Sequence, residues 1–262
     1  VDRADDRRGG RFECVGKRCC RSPQPVEGHA LTIRAVFFDV DFTLIFPGPT
    51  FQGEGYARFC AEESVVIDPS RFEDAVAAAS FILDEVEEPV YDDGLFIHYT
   101  ATIIEHMGGR GAGVATAARR IYEQWAKNHH FDLYDDVSDV LTTLADQGFT
   151  LGAISNSHRS LDAFTDHFKL GHVITTAVSS AEHGYMKPHR SIFESALERA
   201  GVAAGESLMV GDSLKADIEG ALAVGMRAVL IRRSGELPQA IPAGVKVIRS
   251  LFELPPLLRT SD

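Results

Sequence analysis

The stretch Ile33-Arg34-Ala35-Val36-Phe37-Phe38-Asp39-Val40-Asp41-Phe42-Thr43-Leu44 decides how this chain reads. Its first six residues form a short apolar run with Ile, Val and two Phe, the pattern of a buried strand. The run then ends in acid. In a continuing strand Asp39 and Asp41 share a face with Val40 opposite, and a turn starting here lets both carboxylates converge beyond the sheet edge. Paired carboxylates repel at short range and take up a proton unless a cation compensates them, so the pair points to a bound Mg²⁺ that keeps a nucleophile ionised. A strand end capped by two solvated acids is the plainer alternative.

Working outward, similar strand-like runs recur at Thr150–Ile154, Val173–Val178, Ser207–Val210, Ala228–Ile231 and Val245–Ile248. Between them lie helical patterns over Val137–Gln147, Leu161–Phe168, Ser191–Ala200 and Lys215–Ala223. Alternation of this kind implies an α/β fold with a Rossmann-like parallel sheet covered on both faces, and it places ligands at the carboxyl ends of the strands. The first strand is followed by something different. From Thr50 to Leu133 the pattern is helical without strand runs, with candidate helices at Tyr56–Glu63, Arg71–Val86, Leu95–His106 and Ala115–His129. The expected organisation is therefore a core of residues 31–48 and 134–262, with an all-helical cap of residues 49–133 inserted after the first strand. Residues 1–30 carry seven Lys/Arg against five Asp/Glu, together with Gly9-Gly10, Pro23 and Pro25 and no apolar period, and read as a disordered tail.

Composition narrows the function. A formal net charge of -12 argues against a broad grip on nucleic acid, whose phosphates are held mainly by Lys and Arg. No apolar run reaches the length of a membrane span. Three of the four cysteines (Cys14, Cys19, Cys20) crowd into the tail without a paired C-x-x-C spacing, so neither a disulfide framework nor a zinc set is expected, and a reducing cytoplasm fits best.

The remaining chemistry lies just beyond the later strands. Ser155-Asn156-Ser157 follows the second core strand, where a hydroxyl and fresh backbone N–H groups suit an anion, although helix capping is the commoner use of such residues. Lys187 stands in Met186-Lys187-Pro188 ahead of a helix. Gly211-Asp212-Ser213-Leu214-Lys215-Ala216-Asp217 follows the Leu208-Met209-Val210 strand and returns acids to the same edge. His129-His130 reads as a basic helix end that complements the dipole, Trp125 as helical core, and Asp92 and Asp93 as a solvated face. His158 reads either as a substrate contact or as surface.

These four blocks, in this order, resemble the four motifs of the haloacid dehalogenase (HAD) superfamily, over residues from about 31 to 250 and including a helical cap. The region around Tyr91–Met107 also resembles a subgroup named for a rhythmically expressed gene product. The resemblance implies a Mg²⁺-dependent phosphomonoester hydrolase of small phosphorylated metabolites. By that resemblance Asp39 is the nucleophile that becomes an aspartyl phosphate, and Asp41 is the acid for the leaving alcohol and then the base for water. Ser155 and the Asn156 backbone amide hold phosphoryl oxygens, Thr43 steadies the phosphate-binding turn, and Lys187 neutralises charge. Asp39, the Asp41 carbonyl oxygen and Asp212 ligate the metal, with Asp217 behind Lys187 or a metal-bound water.

The resemblance also leaves alternatives: a 2-haloacid dehalogenase, which needs neither the second acid nor a metal, or a catalytically weak phosphate-binding or regulatory protein. Phe42 stands where the family commonly has Gly, and His189-Arg190 replaces the usual acidic residue and Pro. Specificity is expected from Phe46–Gly55 and Tyr91–Tyr99, and the assembly is expected to be a monomer or homodimer.

Overall fold

The computed structural model describes residues 32–84, 86, 88–238 and 240–259, so the expected tail and its three cysteines lie outside the described residues. The chain opens with β1 (Ala35–Phe38) and a short β2 (Ile45–Pro47). Helices follow: α1 (Gly53–Glu62), α2 (Phe72–Ala79), α3 (Phe81–Asp84), α4 (Asp93–His106) and α5 (Gly113–Trp125). The chain returns through β3 (Phe131–Leu133) and then alternates α6 (Val137–Asp146), β4 (Thr150–Ser155), α7 (Leu161–His167) and β5 (Ile174–Ser179). After the short α8 (Ser180–His183) come α9 (Arg190–Ala200) and β6 (Ser207–Gly211), then a wide π-type turn Leu214–Glu219 that runs into α10 (Gly220–Ala223). β7 (Arg227–Ile231), β8 (Lys246–Ile248) and α11 (Leu254–Arg259) complete the chain.

Six strands form one parallel sheet in the order β5-β4-β1-β6-β7-β8, which is the Rossmann-like core expected from the alternation. β1 lies in the middle and all four of its residues are fully buried. Strand periodicity sends Val36 and Phe38 to one face, with Leu151, Val210 and the α6 residues Val140, Leu141 and Leu144. Ala35 and Phe37 go to the other face, against Ile192, Phe193 and Ala196 of α9. Burying each Phe contributes roughly 1.5–3 kcal/mol. Gly152 of β4 makes room for this packing, since a Cβ there would lie 2.6 Å from the Phe37 ring. Helix ends obey local chemistry: the Asp92 side chain accepts from Gly94 N at the start of α4, and Gly201 ends α9 at φ 65°.

Three readings of the sequence need correction. The helix expected over Arg71–Val86 is broken at Ser80, whose hydroxyl bonds back to the Ala77 carbonyl. The helix expected over Ala115–His129 stops at Trp125. His129 and His130 belong instead to a separate 3₁₀ turn, where His130 bonds Thr50 and Gln124 through its two ring nitrogens. Finally, Phe131–Leu133 is not helical but pairs antiparallel with Ile45–Pro47. Strands this short, one of them containing Pro, carry no readable period-two pattern. Among the described residues no helix is long and apolar enough to cross a membrane.

Candidate active site

The strand order creates the site. From β1 the chain moves outward to β4 and β5, then returns to the other side of β1 and moves outward again through β6, β7 and β8. The direction of winding reverses between β1 and β6, which opens a crevice beyond their carboxyl ends. Asp39 directly follows β1, its N–H donating to the Val210 carbonyl of β6 at 2.9 Å, and Asp212 directly follows β6.

Lys187 reaches into this crevice from the loop after α8. Its buried ammonium donates to Asp39 Oδ1 at 2.6 Å, Asp217 Oδ1 at 2.7 Å and the Ile154 carbonyl at 2.7 Å, so all three protons are used. Burial opposes the charge, but the Asp217 and Asp39 carboxylates outweigh it and hold the lysine more firmly protonated than usual. The Asn156 side chain fixes the loop, accepting from Lys187 N at 2.6 Å and donating to Lys187 O at 2.9 Å. Asp217 takes Lys187 on one oxygen and the Ser213 N–H on the other, at 3.0 Å. It comes this close because Gly211 has no side chain: a Cβ there would lie 2.3 Å from Asp217 Cγ.

Asp41 has a partner that the sequence reading missed. Arg159, almost completely buried, donates from one terminal nitrogen to both Asp41 oxygens, at 3.0 and 3.3 Å. Its other terminal nitrogen donates to the Trp125 carbonyl at 2.9 Å, and its guanidinium lies 4.3 Å from the Phe131 ring centroid. Burial raises the Asp41 pKa, with Arg159 pulling the other way and Asp39 adding to the rise. A lone Arg behind a Ser-Asn run gives no local signal, because its partner lies 118 residues away.

The turn between Asp39 and Ile45 carries Phe42 at φ 62°, the left-handed region that explains why glycine is usual there. The Phe42 side chain is exposed and its ring lies 6.5 Å from that of Trp125. Thr43 is fully buried. Its Oγ1 has no partner among the described residues, while its carbonyl accepts two bonds from Arg233, at 3.2 and 2.6 Å. Ser155 Oγ, at the end of β4, is likewise buried and without a partner among the described residues.

Asp39, Asp41, Asn156, Lys187, Asp212 and Asp217 line one end of a cavity of about 340 Å³, whereas Thr43 and Ser155 lie behind its surface. The opposite wall comes from the helical segment and includes Leu95, Phe96, Tyr99, Ile121, Tyr122 and Trp125. Tyr99 and its neighbours fall in the stretch expected to set specificity, but no residue of Phe46–Gly55 lines the cavity. His158 is half-buried and lines the cavity with its ring stacked on Tyr122 at 4.1 Å, and burial and Arg159 lower its pKa.

The acid set fits a divalent cation. One oxygen from each of Asp39, Asp212 and Asp217 lies within 4.8 Å of the others. Burial, then Asp39 and Asp217, raises the pKa of Asp212 well above its ordinary value, and burial pushes Asp217 up to about 6 against the pull of Lys187. Oxygens that repel each other this strongly are relieved by a cation bound among them.

Three comparisons place the chain among known proteins. The sequence profile described as haloacid dehalogenase-like hydrolase matches residues 97–231. N-acylneuraminate-9-phosphatase of Mus musculus is 29% identical over 88% of this chain and 95% of its own length. Glyceraldehyde 3-phosphate phosphatase of Methanothermobacter thermautotrophicus is 31% identical over 79% of this chain and 88% of its own. Among solved structures, the 2-haloacid dehalogenase of Pseudomonas syringae pv. Tomato DC3000 superposes with a TM-score of 0.59 at 26% identity, over 87% of this chain and 99% of that one. With its parallel sheet, its acids at the switch point and these relatives, the chain belongs to the haloacid dehalogenase-like hydrolases.

Proposed function

We propose that this hydrolase is a Mg²⁺-dependent phosphomonoesterase acting on small phosphorylated metabolites through an aspartyl phosphate on Asp39. The observation that carries the reading is the meeting of Asp39, Asp41, Lys187 and Asp212 at one end of a single cavity. The two phosphatase relatives, one acting on N-acylneuraminate 9-phosphate and one on glyceraldehyde 3-phosphate by name, support the substrate class.

In this account an Asp39 oxygen attacks phosphorus while the bond to the leaving oxygen breaks, and Asp41 gives its proton to the departing alkoxide. Asp41 then takes a proton from water as the water oxygen attacks the same phosphorus, and the bond to Asp39 breaks to restore its carboxylate. Burial raises the Asp41 pKa, which favours the protonated form that a general acid needs. Lys187 balances charge beside the nucleophile, the Asn156 amide receives a phosphoryl oxygen at the cavity surface, and the Ser155 hydroxyl, unpaired among the described residues, supports that anion site from behind it. Asp39, Asp212 and the Asp41 carbonyl would hold Mg²⁺, which when bound neutralises the phosphoryl group. Asp217 stands behind them, since both its oxygens are already engaged. Residues 49–133 act as a cap that shuts water from the cavity, and the cysteine usage fits a reducing cytoplasm.

The test is phosphate release from p-nitrophenyl phosphate and a metabolite panel, dependent on Mg²⁺ and abolished by chelator; an Asp39→Asn protein that keeps its activity removes the mechanism. A dehalogenase reading has the Pseudomonas neighbour in its favour. It predicts halide release that survives both chelation and replacement of Asp41, whereas Asp41 and Asp212 serve only the phosphatase.

A further inference from the structure

The cavity has two unlike ends. Its charged groups come from the loops after the parallel strands: Asp39, Asp41, Lys187, Asp212, Asp217 and, at an exposed position in the same loop as the last two, Lys215. The facing wall has none. Among the described residues between 49 and 133 that line the cavity, every side chain is uncharged and most are aliphatic or aromatic. Phe96 lies near-parallel to Tyr122, with ring centroids 6.1 Å apart, and Trp125 closes the wall where its ring approaches Phe42.

Two of the hydroxyls on that wall are already engaged. The Tyr122 hydroxyl is paired with the Tyr91 hydroxyl, and the Thr100 hydroxyl donates to the Phe96 carbonyl at 2.9 Å. His158 is stacked on Tyr122, burial and Arg159 beside it lower its pKa, and its Nε2 is buried without a partner among the described residues. A carboxylate or second phosphate on the leaving group would be stripped of water against a wall whose described side chains between residues 49 and 133 carry no charge, and a polyol would exchange hydrogen bonds to water for mostly aliphatic and aromatic surface. A flat apolar group loses little on entry and gains contact with ring faces.

We propose that the leaving group this cavity selects is uncharged and carries an apolar, planar body, as in an arylalkyl or aryl alcohol, rather than a polyol or a second anion. The inference rests on the phosphomonoesterase reading for the placement of the phosphoryl end at Asp39. It goes further by assigning the specificity to Leu95, Phe96 and Tyr122.

Binding of non-hydrolysable phosphonates to the full chain in Mg²⁺, measured by calorimetry, separates the two ideas. Benzylphosphonate is expected to bind on the order of ten- to a hundredfold more tightly than methylphosphonate. Phosphonoacetate and 2,3-dihydroxypropylphosphonate are expected to gain nothing over methylphosphonate. Leu95→Ala and Phe96→Ala should each cut the benzyl preference several-fold while leaving methylphosphonate affinity intact, and two variants guard against one that fails to fold. Equal binding of the four ligands, no binding of any, a preference for the anionic or hydroxylated one, or a benzyl preference untouched by both variants overturns the inference. Tight benzylphosphonate binding that both variants weaken, without phosphate release from benzyl phosphate, upholds the cavity's selectivity for an apolar planar group while removing the phosphomonoesterase reading.

Discussion

Arg159, with 1% of the residue's surface exposed, buries a guanidinium that is costly to desolvate and offsets that cost with Asp41, the Trp125 carbonyl and the Phe131 ring. The same contacts fix where the Asp41 carboxyl points. Arg159→Lys keeps the charge but cannot reach Asp41 and the carbonyl together, so kcat should fall by about 10- to 100-fold with a smaller change in KM. The fall should be larger for an alkyl ester, whose alkoxide needs a proton, than for p-nitrophenyl phosphate. Equal losses on the two esters would mean that Arg159 only supports the fold. At Gly211 the added methyl of Gly211→Ala would collide with Asp217, so we expect a loss of about 1–3 kcal/mol in urea unfolding and a large drop in phosphate release. Asp39, Lys187 and Asp212 were legible in the sequence because each follows a strand-like run or sits in an ordered motif. Arg159 was not, because its value lies in a partner far away in the chain.

At the scale of elements, the turn from Asp39 to Ile45 is closed by Leu44 N and Ile45 N, both donating to the Val40 carbonyl, and it forces Phe42 into the left-handed region. A non-glycine residue there costs about 1–2 kcal/mol, and a β-branched one fits worse. Phe42→Val should therefore be less stable than Phe42→Gly by about 1–2 kcal/mol in chemical denaturation. Equal stabilities would show that the turn relaxes. The sheet strands were legible because buried parallel strands are continuous apolar runs, as in Ala35–Phe38 and Ser207–Gly211. The β2–β3 ribbon was not. Its two three-residue strands are separated in sequence by the whole helical segment and pair only because the fold brings Ile45 opposite Leu133.

Across the molecule, a network centred on Asp136 ties the turn at Thr43 to the segment at Ser250 and Leu251. Asp136 Oδ2 accepts from Arg233 at 2.8 Å, Ser250 Oγ at 2.6 Å and Leu251 N at 2.8 Å, while Arg233 also grips the Thr43 carbonyl. Burial alone would raise the Asp136 pKa, but these donors outweigh it and lower it. A carboxylate with a depressed folded pKa stabilises above its unfolded value and loses that contribution as pH falls through the folded one. Asp136→Asn should thus cost about 2–4 kcal/mol at pH 7, with the gap to wild type closing as pH drops below about 4. A gap independent of pH would contradict the assignment. The alternation of strand and helix made the parallel architecture readable, but this junction joins segments 97 and 114 residues apart and leaves no local pattern. The central claim, that Asp39 carries the phosphoryl group, is tested most directly by acid-quenching the enzyme during Mg²⁺-supported turnover of p-nitrophenyl phosphate and mapping the modified peptide by mass spectrometry. A phosphoryl adduct on Asp39 that is absent from Asp39→Asn is expected; an adduct on another residue, or wild-type turnover by Asp39→Asn, would contradict Asp39 as the nucleophile.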